Sequence, residues 1–249
     1  MAALHYDAVV IGAGNGGLAA ALTLVNAGKK VLLAERHNLP GGFATSFIRG
    51  RFEFEASLHE LCDMGTPGNS GNLYDLFEEL GVLDKIEFVT VPEAYRGISL
   101  STGEDYTMPF GIENFIDKME SYVPGSREST TTFFELAGEC RRAMSYLTKS
   151  RGNPDTDVLK SEYPNFMRVA AYPIDKVLDA IKMPKKAQEI LNVYWSYLGT
   201  PEDQLSFLHY ALMVWLYISL GAQVPKNRSH GISCALADPI LDKGGELWC

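Results

Sequence analysis

Near its start the chain changes hydrophobic period twice. Tyr6 to Ile11 is a short apolar, β-branched run that ends in glycines, a pattern that predicts a buried parallel strand. From Gly17 to Ala27 (GLAAALTLVNA) Ala and Leu dominate with apolar residues at helical spacing, and Gly28 stands where a helix C-terminal glycine belongs. Lys30 to Glu35 (KVLLAE) returns to a strand pattern. Strand, glycine turn, helix and strand within about 30 residues is the size of one βαβ unit.

Further along the character changes. Leu73 to Leu80 and Glu113 to Tyr122 read as short amphipathic helices, and Arg96 to Pro109 alternates like a hairpin around Thr102-Gly103. Helical patterns dominate from Thr130, punctuated by Pro124-Gly125, Gly152-Asn153-Pro154 and Pro164, with no fixed-period repeat. Gly231 onward reads as a helix flawed by Pro239, then Gly244-Gly245 and the opening of a strand at Glu246 to Cys249. The pattern predicts an α/β fold interrupted by a mostly helical insertion: residues 1–90, then 91–228, then a return over 229–249.

With 46% hydrophobic and 21% charged residues over 249, the composition is that of a globular protein with a sizeable core, which excludes disordered and fibrous classes. Lys+Arg 22 against Asp+Glu 31 leaves a formal charge of -9, and no basic cluster exists to neutralise a run of phosphates, so nucleic acid is not expected as a partner. Cys62, Cys140, Cys234 and Cys249 form no CxxC pair, which predicts neither a metal site nor a disulfide framework and points to a reducing compartment. After MAALH the chain enters YDAVVIG without a basic segment, apolar stretch and cleavage site, so a cytoplasmic location is expected. An ending that coincides with the opening of a strand predicts a fragment of a longer fold.

The chemistry concentrates in the first turn. Gly12, Gly14 and Gly17, with Asn15 and Gly16 between them, form GxGxxG after a strand and at the head of a helix. The first glycine permits the tight turn, the second lets backbone approach a pyrophosphate, and the third allows helix to pack on strand. The diphosphate would rest on unpaired N–H groups at the positive end of the helix. Glu35 falls about 20 residues on, where an acid accepts hydrogen bonds from ribose hydroxyls and repels a 2′-phosphate. Adjacent Arg36 softens that exclusion. The run ERHNLPGGFATS adds a second glycine pair, Gly41-Gly42, which a flavin dinucleotide can use as a further N–H turn and a simple NAD domain does not need.

The segment GAGNGGLAAALTLVNAGKKVLLAERHNLPGGFATS resembles the N-terminus of the FAD-dependent oxidoreductases, the superfamily of amine oxidases and phytoene desaturases. Phe43 stands where amine oxidases usually carry an arginine, and Thr45-Ser46 follow. That variation is similar to the branch of phytoene dehydrogenases, carotenoid isomerases and retinol saturases. The likeness continues through LYDLFEELGVLDKIEF, IENFIDKMESYVPG, YLGTPEDQLSFLHYAL and HGISCALADPILDKGGELW. It departs from the family at Phe54-Glu55-Ala56-Ser57-Leu58-His59, where Glu55 replaces Asp and Ser57 replaces Gly, and at Ser229-His230-Gly231, where one glycine of a pair is kept. Relatives are about twice as long; the remainder would include the strand at the adenine and the segment closing over the flavin.

The resemblance implies a Rossmann-like FAD-binding domain around an inserted substrate region. FAD would be held by Gly12, Gly14, Asn15, Gly16, Gly17, Glu35, Arg36, Gly41, Gly42 and Thr45. It implies hydride transfer with an apolar polyene or isoprenoid-like substrate undergoing desaturation, saturation or isomerisation. The alternatives are an amine-oxidase-like flavoenzyme and a truncated, non-catalytic nucleotide-binding fragment. Peripheral membrane contact, and a complementary C-terminal half or a second copy, complete the expected partners.

Weaker signals stay open at this point. Gln204 to Pro225 has no Asp, Glu, Lys or Arg and as one helix would be about 33 Å long, enough to cross a bilayer. His209, Tyr210, Trp215, Tyr217 and Ser219 argue against lipid on all sides, leaving a core helix or an apolar substrate wall. The aromatics Tyr194, Trp195, Tyr197, Phe207, Tyr210, Trp215 and Tyr217 suit either a long apolar ligand or an ordinary core. Glu55 and His59, with Glu60, are candidates for moving a proton, against the alternative of a packed, hydrogen-bonded histidine. No GxSxG elbow, HExxH or P-loop occurs, which disfavours hydrolases and nucleoside triphosphatases.

Overall fold

The computed structural model describes residues 5–249. Residues 1–4 of the MAALH start, on which the targeting argument rests, lie outside them. The chain divides into two compact units, the first made of residues up to Val91 and of 222–249, the second of Pro92–Gly221. Along the chain the first unit contributes β1 (Ala8–Ile11), α1 (Asn15–Asn26), β2 (Val31–Ala34), β3 (Ser46–Arg49), β4 (Phe52–Glu55), the short β5 (Gly65–Thr66) and β6 (Asn69–Ser70), α2 (Asn72–Glu79) and β7 (Phe88–Thr90). The second adds β8 (Tyr95–Ile98), β9 (Asp105–Met108), α3 (Ile112–Tyr122), α4 (Arg127–Lys149), α5 (Thr156–Glu162), α6 (Pro164–Val169), α7 (Ile174–Ala180), α8 (Lys185–Leu191) and α9 (Phe207–Leu220). The chain then returns with β10 (Gln223–Pro225), α10 (Arg228–Asp242) and β11 (Glu246–Trp248).

In the first unit a parallel sheet runs in the order β1-β2-β11, with Ala8 to Ile11 opposite Val31 to Ala34, and Glu246 to Trp248 opposite Leu32 to Ala34. Crossover α1 carries Leu18, Ala21, Leu22 and Val25 on one stripe, all buried. They pack with Val31, Leu33, Phe77, Ile232 and Leu236 into one core. Each of the larger apolar side chains contributes roughly 1.5–3 kcal/mol on burial. α1 stops at Gly28, whose φ of 75° suits the residue after a C-cap, while Lys29 N–H returns to Leu24 O at 3.0 Å.

Two expectations change here. β1 is not buried on both faces: Val10 packs on the core, whereas Val9 is 56% and Ile11 88% exposed. The strand is a sheet edge, and none of the described residues covers that side. The return to the first unit comes at Ala222 rather than at residue 229, because β10 pairs antiparallel with β7, setting Val224 opposite Val89.

The second unit is a helical bundle with one hairpin, β8 against β9. The apolar run from Gln204 splits into a buried helix and a strand, since Gly221 adopts φ 77° and ends α9 after 14 residues. That helix is about 21 Å long, and among the described residues no helix is long and apolar enough to cross a membrane. Of the open aromatics, Tyr194, Phe207, Tyr210 and Tyr217 are core residues. Main-chain carbonyls satisfy two of the buried hydroxyls: Tyr210 donates to Leu191 O at 2.8 Å, and Tyr194 to Ala94 O. Trp195 and Tyr197 stay 40% and 44% exposed. Cys140, on the inner face of α4, has its thiol pushed up to about 12 by burial and then by Glu139.

Candidate functional site

The three motif glycines meet three different constraints. Gly12 takes φ 96° and its N–H donates to Ala34 O at 2.7 Å, so the chain turns sharply while β1 is still paired with β2. Gly17 lies against that turn: a Cβ there would sit 1.9 Å from Gly12 O. Gly14 faces open space, with nothing within 4 Å of where a Cβ would stand. It is also the N-cap of α1, which has no side-chain cap and no acidic residue in its first turn. A helix N-terminus left uncapped with its positive end open has the character of an anion site. Asn15 and Gly16, both exposed, form that first turn.

Glu35 follows β2 and turns back toward the glycines. Its Oε2 accepts from Ala13 N–H at 2.7 Å, and its Oε1 from His37 N–H at 2.8 Å. The His37 and Ala13 N–H groups hold the Glu35 carboxyl below its usual range, against a smaller opposing effect of desolvation. The carboxylate thus fixes the shape of the glycine turn. An ionised carboxylate has about four lone-pair sites, so capacity remains for ligand hydroxyls. Arg36 is exposed beside it.

The second glycine pair packs against the first turn. Gly41 and Gly42 have φ 123° and 60°, and Gly41 N–H donates to Ala13 O at 2.6 Å. That N–H is spent inside the protein, so Gly41 does not supply the free N–H expected of the pair from sequence. What the glycines allow is closeness: a Cβ on Gly42 would stand 3.1 Å from Gly14 Cα, and one on Gly41 would meet Ala44 O at 2.5 Å and Ser233 Oγ at 2.7 Å. Ser233, buried on α10, donates to Ala44 O at 2.8 Å and locks the segment from behind. Half-buried Thr45 follows, its carbonyl accepting from Ala56 N–H at 3.0 Å. Phe43 projects into solvent, 85% exposed.

Glu55 is employed elsewhere. Its Oε1 accepts from Ser229 N–H at 2.8 Å and its Oε2 from the Ser229 hydroxyl, placing a carboxylate on the first turn of α10. The structure therefore gives Glu55 a helix-anchoring role across 174 residues of chain. His59 is exposed and Glu60 buried. Among the described residues no group of His, Cys, Asp and Glu is arranged to hold a metal ion.

Residues 10–80 match the NAD(P)-binding Rossmann-like domain family. The chain is 25% identical over 249 residues to the all-trans-retinol 13,14-reductase of Danio rerio, covering 96% of this chain and 40% of that one. It is 25% identical to the phytoene dehydrogenase of Streptomyces griseus (96% and 46%) and 25% identical to a chloroplastic prolycopene isomerase of an Oncidium hybrid cultivar (98% and 42%). The chain thus spans less than half the length of these curated relatives. Among solved structures, a protein of Pyrococcus furiosus aligns with TM-score 0.63 at 18% identity, over 96% of this chain and 50% of that one. Putrescine oxidase bound to putrescine aligns at 0.61 and 17%, over 98% and 51%. Both structural matches speak for the fold alone. Over nearly its whole length the chain is similar to the first parts of a retinol 13,14-reductase, a prolycopene isomerase and a phytoene dehydrogenase, and its residues 10–80 match a Rossmann-like dinucleotide-binding domain.

Proposed function

We propose that the first unit holds FAD and belongs to an oxidoreductase acting on an apolar polyene or isoprenoid-like substrate. The observation that carries this reading is the cradle at Gly14, where an uncapped helix start faces open space beside an ionised Glu35. The residues fit the group: N–H groups of the Gly14 to Gly17 turn suit the diphosphate, Glu35 the ribose hydroxyls, and Gly42 and Thr45 the next stretch of the nucleotide. FAD, when bound, supplies hydride chemistry. The chain's own contribution is to bind and orient the nucleotide and to exclude a 2′-phosphate at Glu35.

The activity proposed is that of a polypeptide of the relatives' full length, with substrates of the kind their names state: a retinol, prolycopene or phytoene. The second unit, read from sequence as the substrate region, would furnish the apolar surroundings. A cytoplasmic protein with peripheral membrane contact and no nucleic-acid partner completes the reading. Oxidation of an amine is less favoured, because exposed Phe43 offers no cation where amine oxidases usually carry one.

Competition between nucleotides tests the site. Titration of the purified chain with FAD, NAD and NADP, read by flavin fluorescence quenching and by calorimetry, should rank FAD first and NADP last. Equal affinity for NADP, or preference for NAD, would overturn the assignment.

A further inference from the structure

The second unit carries a cavity of about 490 Å³ that none of the functional readings above uses. Its volume falls within the roughly 300–1,000 Å³ usual for small-molecule sites. The floor is apolar, with Leu136 from α4, Val169 from α6, and Val177 and Ile181 from α7 and its end. Two cations, Arg168 and Lys176, stand on the lining.

The two cations differ in how they are satisfied. Lys176 Nζ lies 3.2 Å from Asp175 Oδ2. Arg168 has no carboxylate within ion-pair distance among the described residues, and its Nη2 donates at 2.8 Å to the Asn165 side-chain oxygen. Asn165 is itself fixed, since the buried Glu139 carboxylate accepts from its N–H at 2.6 Å and from its Nδ2 at 2.8 Å. Glu139 also takes Phe166 N–H at 2.9 Å, so its oxygens are spent on the start of α6. The guanidinium is thus held by a side-chain amide that a buried acid positions. An apolar cavity with an oriented cation short of an anion suits a ligand with an apolar body and one negative head.

We propose that this cavity binds an amphipathic monocarboxylate of fatty-acid type, its chain on the apolar floor and its carboxylate on Arg168 with support from Lys176. The site belongs wholly to the second unit, so it stands independently of the FAD reading.

The probes are sodium dodecanoate, dodecan-1-ol and dodecyltrimethylammonium, titrated calorimetrically into the 249-residue chain. Dodecanoate should bind saturably at one site, and the alcohol and the cation at least about tenfold more weakly, the difference that one charge-assisted hydrogen bond supplies. Arg168→Gln should weaken dodecanoate about tenfold and leave the alcohol unchanged. Ala180→Trp, at an exposed lining position, should block both. Arg168 is exposed, so its variant is expected to fold, and an unaltered thermal midpoint checks this. FAD affinity should be the same in both variants, which separates failure of this proposal from failure of the flavin reading. Equal affinity for acid and alcohol, an Arg168→Gln chain that binds dodecanoate like wild type, or no saturable binding would each overturn the site.

Discussion

Adjacent glycines at the head of α1 should respond to the same substitution with opposite signs. Gly16→Ala places a methyl group where nothing lies within 4 Å, in a helix whose propensity favours Ala over Gly by about 1 kcal/mol. It should stabilise the chain by about 0.5–1 kcal/mol. Gly17→Ala gains the same propensity but puts its Cβ 1.9 Å from Gly12 O, a main-chain atom tied to the sheet through the Gly12 N–H to Ala34 O bond. Helix and turn must separate by more than an ångström. Overpacking of this kind costs about 1–3 kcal/mol, and a shift of α1 would also loosen the packing of Leu18 and Leu22. Set against the propensity gain, this leaves a net loss of up to about 2 kcal/mol. Urea denaturation followed by far-UV circular dichroism measures both variants on one scale. Gly17→Ala as stable as Gly16→Ala would refute the close helix-on-turn contact and the role assigned to the third glycine.

Glu35→Gln should lower stability near neutral pH, because the folded carboxyl is depressed by the His37 and Ala13 N–H groups and its contribution is present above its unfolded value of about 4.3. That difference from wild type should disappear as pH falls through the folded value, and denaturant midpoints between neutral and acidic pH would reveal it; a gap that widens in acid contradicts the assignment. Glu55→Ala should cost about 1 kcal/mol through loss of the α10 anchor, and Ser229→Ala in the same background should add little, since both break one contact. A stability change of zero, or full additivity, would count against the anchoring role. With a thiol-specific disulfide reagent, exposed Cys249 should react in the native chain while Cys140, with its thiol pushed up to about 12, reacts only after denaturation. Native labelling of Cys140, mapped by mass spectrometry, would show that α4 is not packed as described.

Much of the first unit is legible because its determinants are local. Gly12, Gly14, Gly17 and Gly28 each act within a few residues of their own position, so spacing alone reveals the turn, the helix and its end. The long apolar run from Gln204 was ambiguous for the opposite reason: hydrophobicity says that a segment is buried and not what ends it. Gly221, with positive φ, is the local signal that breaks the helix, and the pairing of β10 with β7 is the long-range event that makes the break useful. Contacts between distant residues leave little trace in a single sequence. Glu55 meets Ser229 across 174 residues, whereas the sequence offers Glu55 only as a candidate for moving a proton beside His59, against a packed, hydrogen-bonded alternative. Glu35 was legible as an acid at the end of a strand, yet its tie to Ala13 N–H was not, because many rotamers of a glutamate at that position fit the motif. Asn165, Glu139 and Arg168 carry no motif, and only packing of α4 against α6 brings them into line.

The central claim is that the Gly14 cradle with Glu35 is a flavin-dinucleotide site. The most direct measurement is the visible absorption spectrum of the chain purified with added FAD, compared with Gly14→Val, whose side chain would fill the open space at the helix start. Wild type should retain flavin absorbance through gel filtration and release FAD on denaturation, and Gly14→Val, folded by circular dichroism, should retain none. Flavin retained equally by both proteins, or by neither although both are folded, would contradict the account.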